Sequence, residues 1–502
     1  MNRTKKFFKN AVSTAFFQIV NMLVSFFIPR IMLVIYGSEI NGLVSSITQF
    51  IVYFNLLEAG LSGAAVWALY EPLAKKNVRS INSIIVAVKN LYNWVGYVFI
   101  SLVLGLAFIY PFFIRVTTLS TIEVSFLVLT IGASGALEFF TLSKYRVLLT
   151  ADQKTYVISL SSSITVILNA MLIALLASFN INIVITMAVA STTIFFRSFI
   201  LWFYVRKNYQ YIDYSEFPDE SKLNKRWYAL YLQILGVIHT GGPIVLATMF
   251  TDLKMVSVYT VFNLVTKGVG AVLGIFVSGL AASFGDVIAK REQDTLKRTY
   301  DEFELSYYTL ISIIYSVTFI MLMPFIRLYT KNITDISYEL PVFGFLMVLN
   351  GLLFNVKTPQ GMLVISAGLY RETRWQTTMQ GSILLGVGII GGYYYGLVGI
   401  VLASIISNIY RDIDLAIYIP KVLLNINPKR TFKRILISFI MIFIICSPFY
   451  FIKLPIVDFY DWSSYALLLL VYSSVIVMSF MLFLEKATLL RIFNRLKNMS
   501  NR

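Results

Sequence analysis

The sequence predicts an all-α, polytopic membrane protein of about fourteen transmembrane helices, arranged as two pseudo-symmetric six-helix lobes plus two C-terminal helices. Three observations carry this expectation. Of 502 residues, 58% are hydrophobic and only 13% charged, with a mean hydropathy of +0.76, whereas a soluble globular surface needs about 25% charged residues. Apolar stretches of about 20 residues, enough to cross the hydrocarbon core, recur along the chain with short polar breaks. Lys and Arg concentrate in alternate breaks. Outer-membrane barrels are excluded, because their strands are about 10 residues long and alternate in polarity. The run 435–445 is apolar but for Ser438.

The elements follow in order. Arg3, Lys5, Lys6 and Lys9 precede the first span, 12–36, which is too long for the apolar core of a secretion signal, so none is expected. The turn Tyr36-Gly37-Ser38-Glu39-Ile40-Asn41-Gly42-Leu43 separates it from span 42–68. Spans 84–110, 122–146, 155–178 and 182–205 complete a first lobe, 1–206. The longest break, 207–226, holds Pro218 and a mixed-charge run and reads as a cytoplasmic amphipathic linker. Spans 227–250, 255–285, 304–328, 339–366, 375–395 and 397–419 form a second lobe, 227–420, with the Gly391 to Gly396 turn between the last two. Residues 421–502 add spans 434–452 and 463–484 and a cytoplasmic tail; this pair lies outside any repeat and is expected at the periphery.

With the N-terminus inside, thirty-two of the 42 Lys and Arg residues fall on inner segments, and outer loops hold only Arg115, Lys254, Arg327, Lys331 and Lys453. Both termini are therefore expected on the cytoplasmic side of the cell membrane. The net charge of +17 and pI near 9.6 follow from this topology. They imply contact with anionic membrane lipid and no nucleic-acid partner. A single cysteine, Cys446, expected to be a small buried residue, and a single histidine, His239, leave no means for an intramolecular disulfide or a Cys- or His-rich metal centre. No metal, cofactor or catalytic residue is expected.

Short matches suggest an internal repeat. Pro29 and Pro243 lie 214 residues apart, Ala74-Lys75-Lys76 and Ala289-Lys290-Arg291 lie 215 apart, and Gly60-Leu61-Ser62 resembles Gly279-Leu280-Ala281 at 219. Six spans separate the equivalents, so the halves would share one orientation, about an axis along the membrane normal. Two such lobes facing a midplane cavity suit alternating access.

Five basic residues, Arg30, Lys89, Arg197, Lys267 and Lys357, fall inside spans, where a charge costs roughly 2.5–3.5 kcal/mol and normally faces a partner or a cavity. Lys89, Glu58, Glu138 and Arg197 lie toward the cytoplasmic ends of the first lobe's spans and are expected to form intramembrane ion pairs, with a gating role as the alternative. Arg30, Lys267 and Lys357 lie deeper, with His239 mid-span, and no acid is evident at their depth. Pro29, and the Gly241-Gly242-Pro243 run, are expected to break their helices nearby. Deep cations beside broken helices point to an anionic substrate, most simply one carrying phosphate. For His239, an ordinary hydrogen-bonded core imidazole is the competing reading.

The opening Asn10-Ala11-Val12 to Pro29-Arg30, the Tyr36 to Leu43 turn and the segment Asn55-Leu56-Leu57-Glu58-Ala59-Gly60-Leu61 resemble the polysaccharide flippases of the multidrug/oligosaccharidyl-lipid/polysaccharide exporter superfamily, the Wzx-type group. The resemblance covers roughly 10–420, and the two extra spans resemble its fourteen-span members. It implies a non-enzymatic flippase moving polyprenyl-pyrophosphate-linked oligosaccharide to the outer leaflet for surface polysaccharide biosynthesis. Arg30 and Lys267 would meet the pyrophosphate, and polysaccharide assembly proteins are the implied partners. A cation-coupled multidrug exporter of the same superfamily would instead need cavity acids where span 1 carries Arg30. A membrane polymerase or acyltransferase would need a large outer loop or a catalytic His with its partner.

Overall fold

The computed structural model describes residues 3–58, 61–219, 226–277, 280–452 and 454–500, and every regular element in them is helical. The chain forms two compact units, Met1–Val258 and Tyr259–Arg502. The first contains α1 (Arg3–Phe54), α2 (Leu61–Lys75), α3 (Val78–Phe113), α4 (Thr121–Thr141), α5 (Ser143–Ala151), α6 (Thr155–Ser178), α7 (Ile183–Ser191), α8 (Thr193–Asn208) and α9 (Arg226–Phe250). Then come α10 (Leu253–Val277), whose start belongs to the first unit, α11 (Leu280–Ala289), α12 (Gln293–Tyr329), α13 (Pro341–Val356) and α14 (Thr358–Ser366). The series ends with α15 (Arg374–Ile419), α16 (Lys429–Cys446), α17 (Phe459–Leu484) and α18 (Lys486–Ser500).

Among the described residues, eleven helical stretches are long and apolar enough to cross a membrane. Two of them, Phe8–Lys75 and Arg374–Leu424, are double lengths. Each is interrupted by a glycine outside helical geometry, Gly37 (φ 83°) and Gly396 (φ 57°), a left-handed conformation that costs glycine nothing sterically. Divided there, and with the shorter apolar helix Ile234–Phe250 added, the helices account for the fourteen expected segments. The protein is thus an all-α, multi-pass membrane protein. Large exposed aromatics gather near helix ends, at Phe112, Phe113, Tyr393, Tyr394, Tyr450 and Phe451, where an interfacial aromatic belt would place them.

The proline breaks do not occur. Both α1 and α9 run through Pro29 and Pro243, and the non-helical residue of α1 is Gly37. Proline's fixed φ suits a helix, and one lost hydrogen bond is tolerated inside a membrane bundle.

The repeat extends to backbone geometry. Lys76 (φ 54°) and Arg291 (φ 58°) are left-handed caps 215 residues apart. The N–H of Asn77 donates to the Pro72 carbonyl at 2.9 Å, and that of Glu292 to Val287 at 3.2 Å. Gln153 (φ 56°) and Gly368 (φ 68°) keep the same interval, with Lys154 N–H on Leu149 O at 2.7 Å and Leu369 N–H on Val364 O at 3.0 Å. These are helix-terminating turns that satisfy the last carbonyls. The Gly60 and Gly279 match lies outside the described residues.

In the first unit, α1 packs along α6, and Leu43, Leu69, Tyr92, Phe99 and Leu127 fill a core among α1–α4. In the second, α16 and α17 pack on α12 through Leu305, Met441, Ile445, Val477 and Met481. Cys446 is half-buried, not fully enclosed, with its thiol 3.6 Å from the Ser316 carbonyl.

The first part of the linker is irregular and docks on the N-terminal end of α3. Asn82 donates to the Tyr211 carbonyl at 3.1 Å, Ser83 to Phe217 at 2.5 Å, and Arg79 lies 3.7 Å from Glu216. Residues 220–225 of the linker lie outside the described residues.

Candidate functional site

Each unit carries charges inside its helical bundle. In the first unit the centre of the cluster is Arg146, on α5. Its guanidinium pairs with Glu138 of α4 and reaches Glu58 at 3.8 Å. Glu138 also lies 3.6 Å from Arg197 of α8, and Glu58 accepts from the Tyr92 hydroxyl at 3.0 Å. Phe17, Glu138, Arg146, Ser159, Ser162 and Arg197 help to line a cavity of about 260 Å³. Glu58, Glu138 and Arg197 thus meet in one cluster, with two differences from the sequence reading. Arg146, read from the sequence only as an inner-loop charge, is the shared partner. Lys89 joins no acid among the described residues: its ammonium sits 5.4 Å from the ring of Tyr214, which the docked linker brings to it.

The deeper candidates divide between the units. In the first, Arg30 is half-buried in the first length of α1 and His239 half-buried in α9. In the second, Lys267 is exposed midway along α10, while Lys357 occupies the break between α13 and α14. The expectation that no acid reaches these cations fails for Lys357. Its Nζ donates to Asn408 Oδ1 at 2.7 Å and lies 3.7 Å from Asp412 Oδ1, both on α15. Asn408 in turn donates to Asn350 Oδ1 at 2.9 Å. Packing of α15 against α13 and α14 brings Asp412 to Lys357 across 55 residues of sequence.

A second network in this unit had no counterpart among the sequence candidates. Arg434 of α16 contacts Asp301 at 2.9 Å, Glu304 at 2.9 Å and Glu485 at 3.2 Å. Glu304 further accepts from Tyr300 at 2.8 Å and Thr431 at 2.7 Å. Arg430 and Arg491 close on Asp301 at 2.7 and 2.8 Å. The outcome is a structural clasp tying α16 and α18 to α12.

Comparison with solved structures places the fold. The lipid II flippase MurJ, in an inward closed conformation, matches with a TM-score of 0.66 at 15% identity, over 94% of this chain and 98% of that one. An inward-facing multidrug resistance MATE family transporter of the MOP superfamily matches with a TM-score of 0.64 at 15% identity, over 80% and 95%. A MOP superfamily transporter from Pyrococcus furiosus, described as having a binding pocket of reverse polarity, gives 0.52 at 16% identity over 82% and 95%. No family model and no curated protein matches the sequence. The chain has the fold of the MOP-superfamily transporters.

Proposed function

We propose that this protein is a flippase that carries a polyprenyl-pyrophosphate-linked oligosaccharide from the inner to the outer leaflet of the cell membrane by alternating access. The observation that carries the reading is the sign of the embedded charges. Arg30 in α1, Lys267 in α10 and Lys357 at the α13–α14 break bring cations from both units to membrane-spanning helices, and an anionic headgroup is the ligand such groups favour. The likeness to the MurJ structure over nearly the full length of both chains supports it. His239, in α9 of the first unit, would serve as a neutral hydrogen-bonding group.

A cation-coupled drug exporter is less well supported. It would use embedded carboxylates of the first unit to hold its cargo, and Glu58 and Glu138 already share Arg146, with Arg197 beside Glu138.

The test is glycan export in cells producing variants at wild-type membrane levels. Arg30→Ala and Lys267→Ala are each expected to cut export about 10- to 100-fold, the 1.5–3 kcal/mol of one charged hydrogen bond. Arg30→Lys keeps the charge without the fork and is expected to retain part of the activity. Normal surface glycan in the double alanine variant would refute the headgroup role of these cations.

A further inference from the structure

Asp412 is a carboxylate in an unusual position. It lies in a membrane-spanning helix, is 8% exposed, and neither oxygen accepts a hydrogen bond among the described residues. The nearest cation, Lys357 Nζ, stands 3.7 Å from Oδ1, beyond hydrogen-bonding distance, and spends its short contact on Asn408. This is not how the unit treats Glu304, its most deeply buried acid among the described residues, which accepts from Tyr300, Thr431, Gln360 and Arg434.

Among the described residues no second cation pairs with it. On its own helix, Arg411 is bound to Asp414 at 2.5 Å. On α12, the Tyr308 hydroxyl donates to the Val356 carbonyl at 3.2 Å. From the α13–α14 break comes Lys357 alone. The ionised state of Asp412 therefore depends on that ammonium, because a buried carboxylate with empty acceptor sites is costly without a partner.

Lys357 has three N–H donors, and its side chain is 14% exposed. A diphosphate oxygen offers it a closer and more highly charged partner than a carboxylate at 3.7 Å. Once the ammonium turns to that headgroup, Asp412 loses what keeps it ionised.

We infer that Asp412 is a proton-binding site, loaded when an anionic headgroup draws Lys357 away from it, so that headgroup binding and proton uptake are coupled inside the second unit. The inference rests on the reading of Lys357 as a headgroup ligand. The step balances simply. One proton from solvent joins the carboxylate to give the neutral acid, whose O–H can donate to Asn408 Oδ1, one helical turn away and vacated by Lys357. Release of the headgroup returns Lys357 and discharges the proton.

Calorimetry on the purified full chain in detergent tests this, with geranylgeranyl pyrophosphate as probe in two buffers of different ionisation enthalpy. The wild type is expected to take up a proton per lipid bound beyond whatever Asp412→Asn takes up. The headgroup's own protonation is common to both, so the difference isolates Asp412. Asp412→Asn frees Lys357 and should bind several-fold tighter, and Lys357→Gln several-fold weaker. Equal proton uptake in wild type and Asp412→Asn overturns the inference and leaves the flippase reading standing. Failure of the wild type to bind the lipid, or undiminished binding by Lys357→Gln, removes the headgroup role itself and the inference with it. Infrared difference spectra of the wild type provide a check that needs no variant. A protonated-carboxyl band must appear with the lipid, and its absence overturns the inference.

Discussion

Arg434 is 1% exposed and holds three carboxylates, Asp301, Glu304 and Glu485. Removing a partner from such a cluster leaves buried charge uncompensated, which costs about 3–5 kcal/mol, whereas the intact cluster adds little net stability over an apolar core. Arg434→Ala should lower the unfolding free energy in detergent by that order. Arg434→Met together with Glu304→Gln should lower it less, because the second change removes one of the charges that the first strands. The cluster also sets a pH dependence. Burial opposes ionisation of Glu485, but hydrogen bonding and charge from Arg434, then Arg430, outweigh it and hold the carboxyl below its ordinary 4.5. A depressed acid contributes its stability fully above the unfolded value and loses it as pH falls through the lower folded one. Unfolding followed from pH 6 downward should therefore show an acid loss beginning below about 4.5 that Glu485→Gln reduces; an identical acid limb in that variant would refute the assignment. None of this was legible locally, because Arg434 and Glu304 are 130 residues apart. Arg430, Arg434 and Arg491 could be read only as inner-face charges. Arg146 and Glu138 are eight residues apart, off the usual one-turn spacing, and the break between α4 and α5 brings them together.

At the scale of helices, the sequence marks a break where glycine or proline changes the backbone and is mute where only a hydrogen bond slips. Gly37 and Gly396 sit in turns that the residues around them announce. The division of α4 from α5 at Leu142 has no such signal, since Leu142 keeps a right-handed helical backbone (φ −103°, ψ −37°). Its counterpart at Lys357 does have one, in Pro359, which cannot donate a hydrogen bond inside the helix. Gly42 has a different purpose. A Cβ there would stand 1.8 Å from the Leu253 carbonyl oxygen, so the second length of α1 lies directly on the start of α10. Asn41 fixes the same contact by donating to Ser257 at 2.7 Å. Gly42→Ala must push these backbones apart and should cost on the order of 1–3 kcal/mol in detergent unfolding. Gly63→Ala, with nothing within 4 Å of the added carbon, is the control and should lose nothing; equal midpoints for both variants would refute the contact.

Across the whole molecule, the 215-residue interval links more than turns. It carries Leu142 at the α4–α5 break onto Lys357 at the α13–α14 break, and Arg197 onto Asp412. The last helix thus holds an embedded charge at the same place in each half, with its sign reversed, while the break holds one only in the second half. In the first half Arg197 lies 3.6 Å from Glu138. In the second, Asp412 looks to Lys357 at 3.7 Å. The composition made the membrane class plain and the lysine and arginine pattern suggested an orientation. A few sequence matches suggested the repeat, but the equivalence of Leu142 with Lys357 and of Arg197 with Asp412 needed coordinates, because these residues differ in type.

That orientation has an energetic consequence for the proposed cycle. A diphosphate headgroup with two negative charges still moves net negative charge outward when one proton is taken up on Asp412, and an inside-negative potential favours this by about 2.3 kcal/mol per charge per 100 mV. The sequence has no GxxxxGK[ST] loop to cradle a nucleotide, and the potential is a drive that needs none. Flipping of lipid-linked oligosaccharide in reconstituted vesicles should proceed without nucleotide and accelerate when the face bearing the N-terminus is made negative. A strict requirement for ATP, or rates indifferent to the potential, would refute this energetics. A rate that falls on Lys267→Gln but keeps its dependence on potential would assign Lys267 to holding the headgroup, with the drive acting on the charge that the headgroup carries.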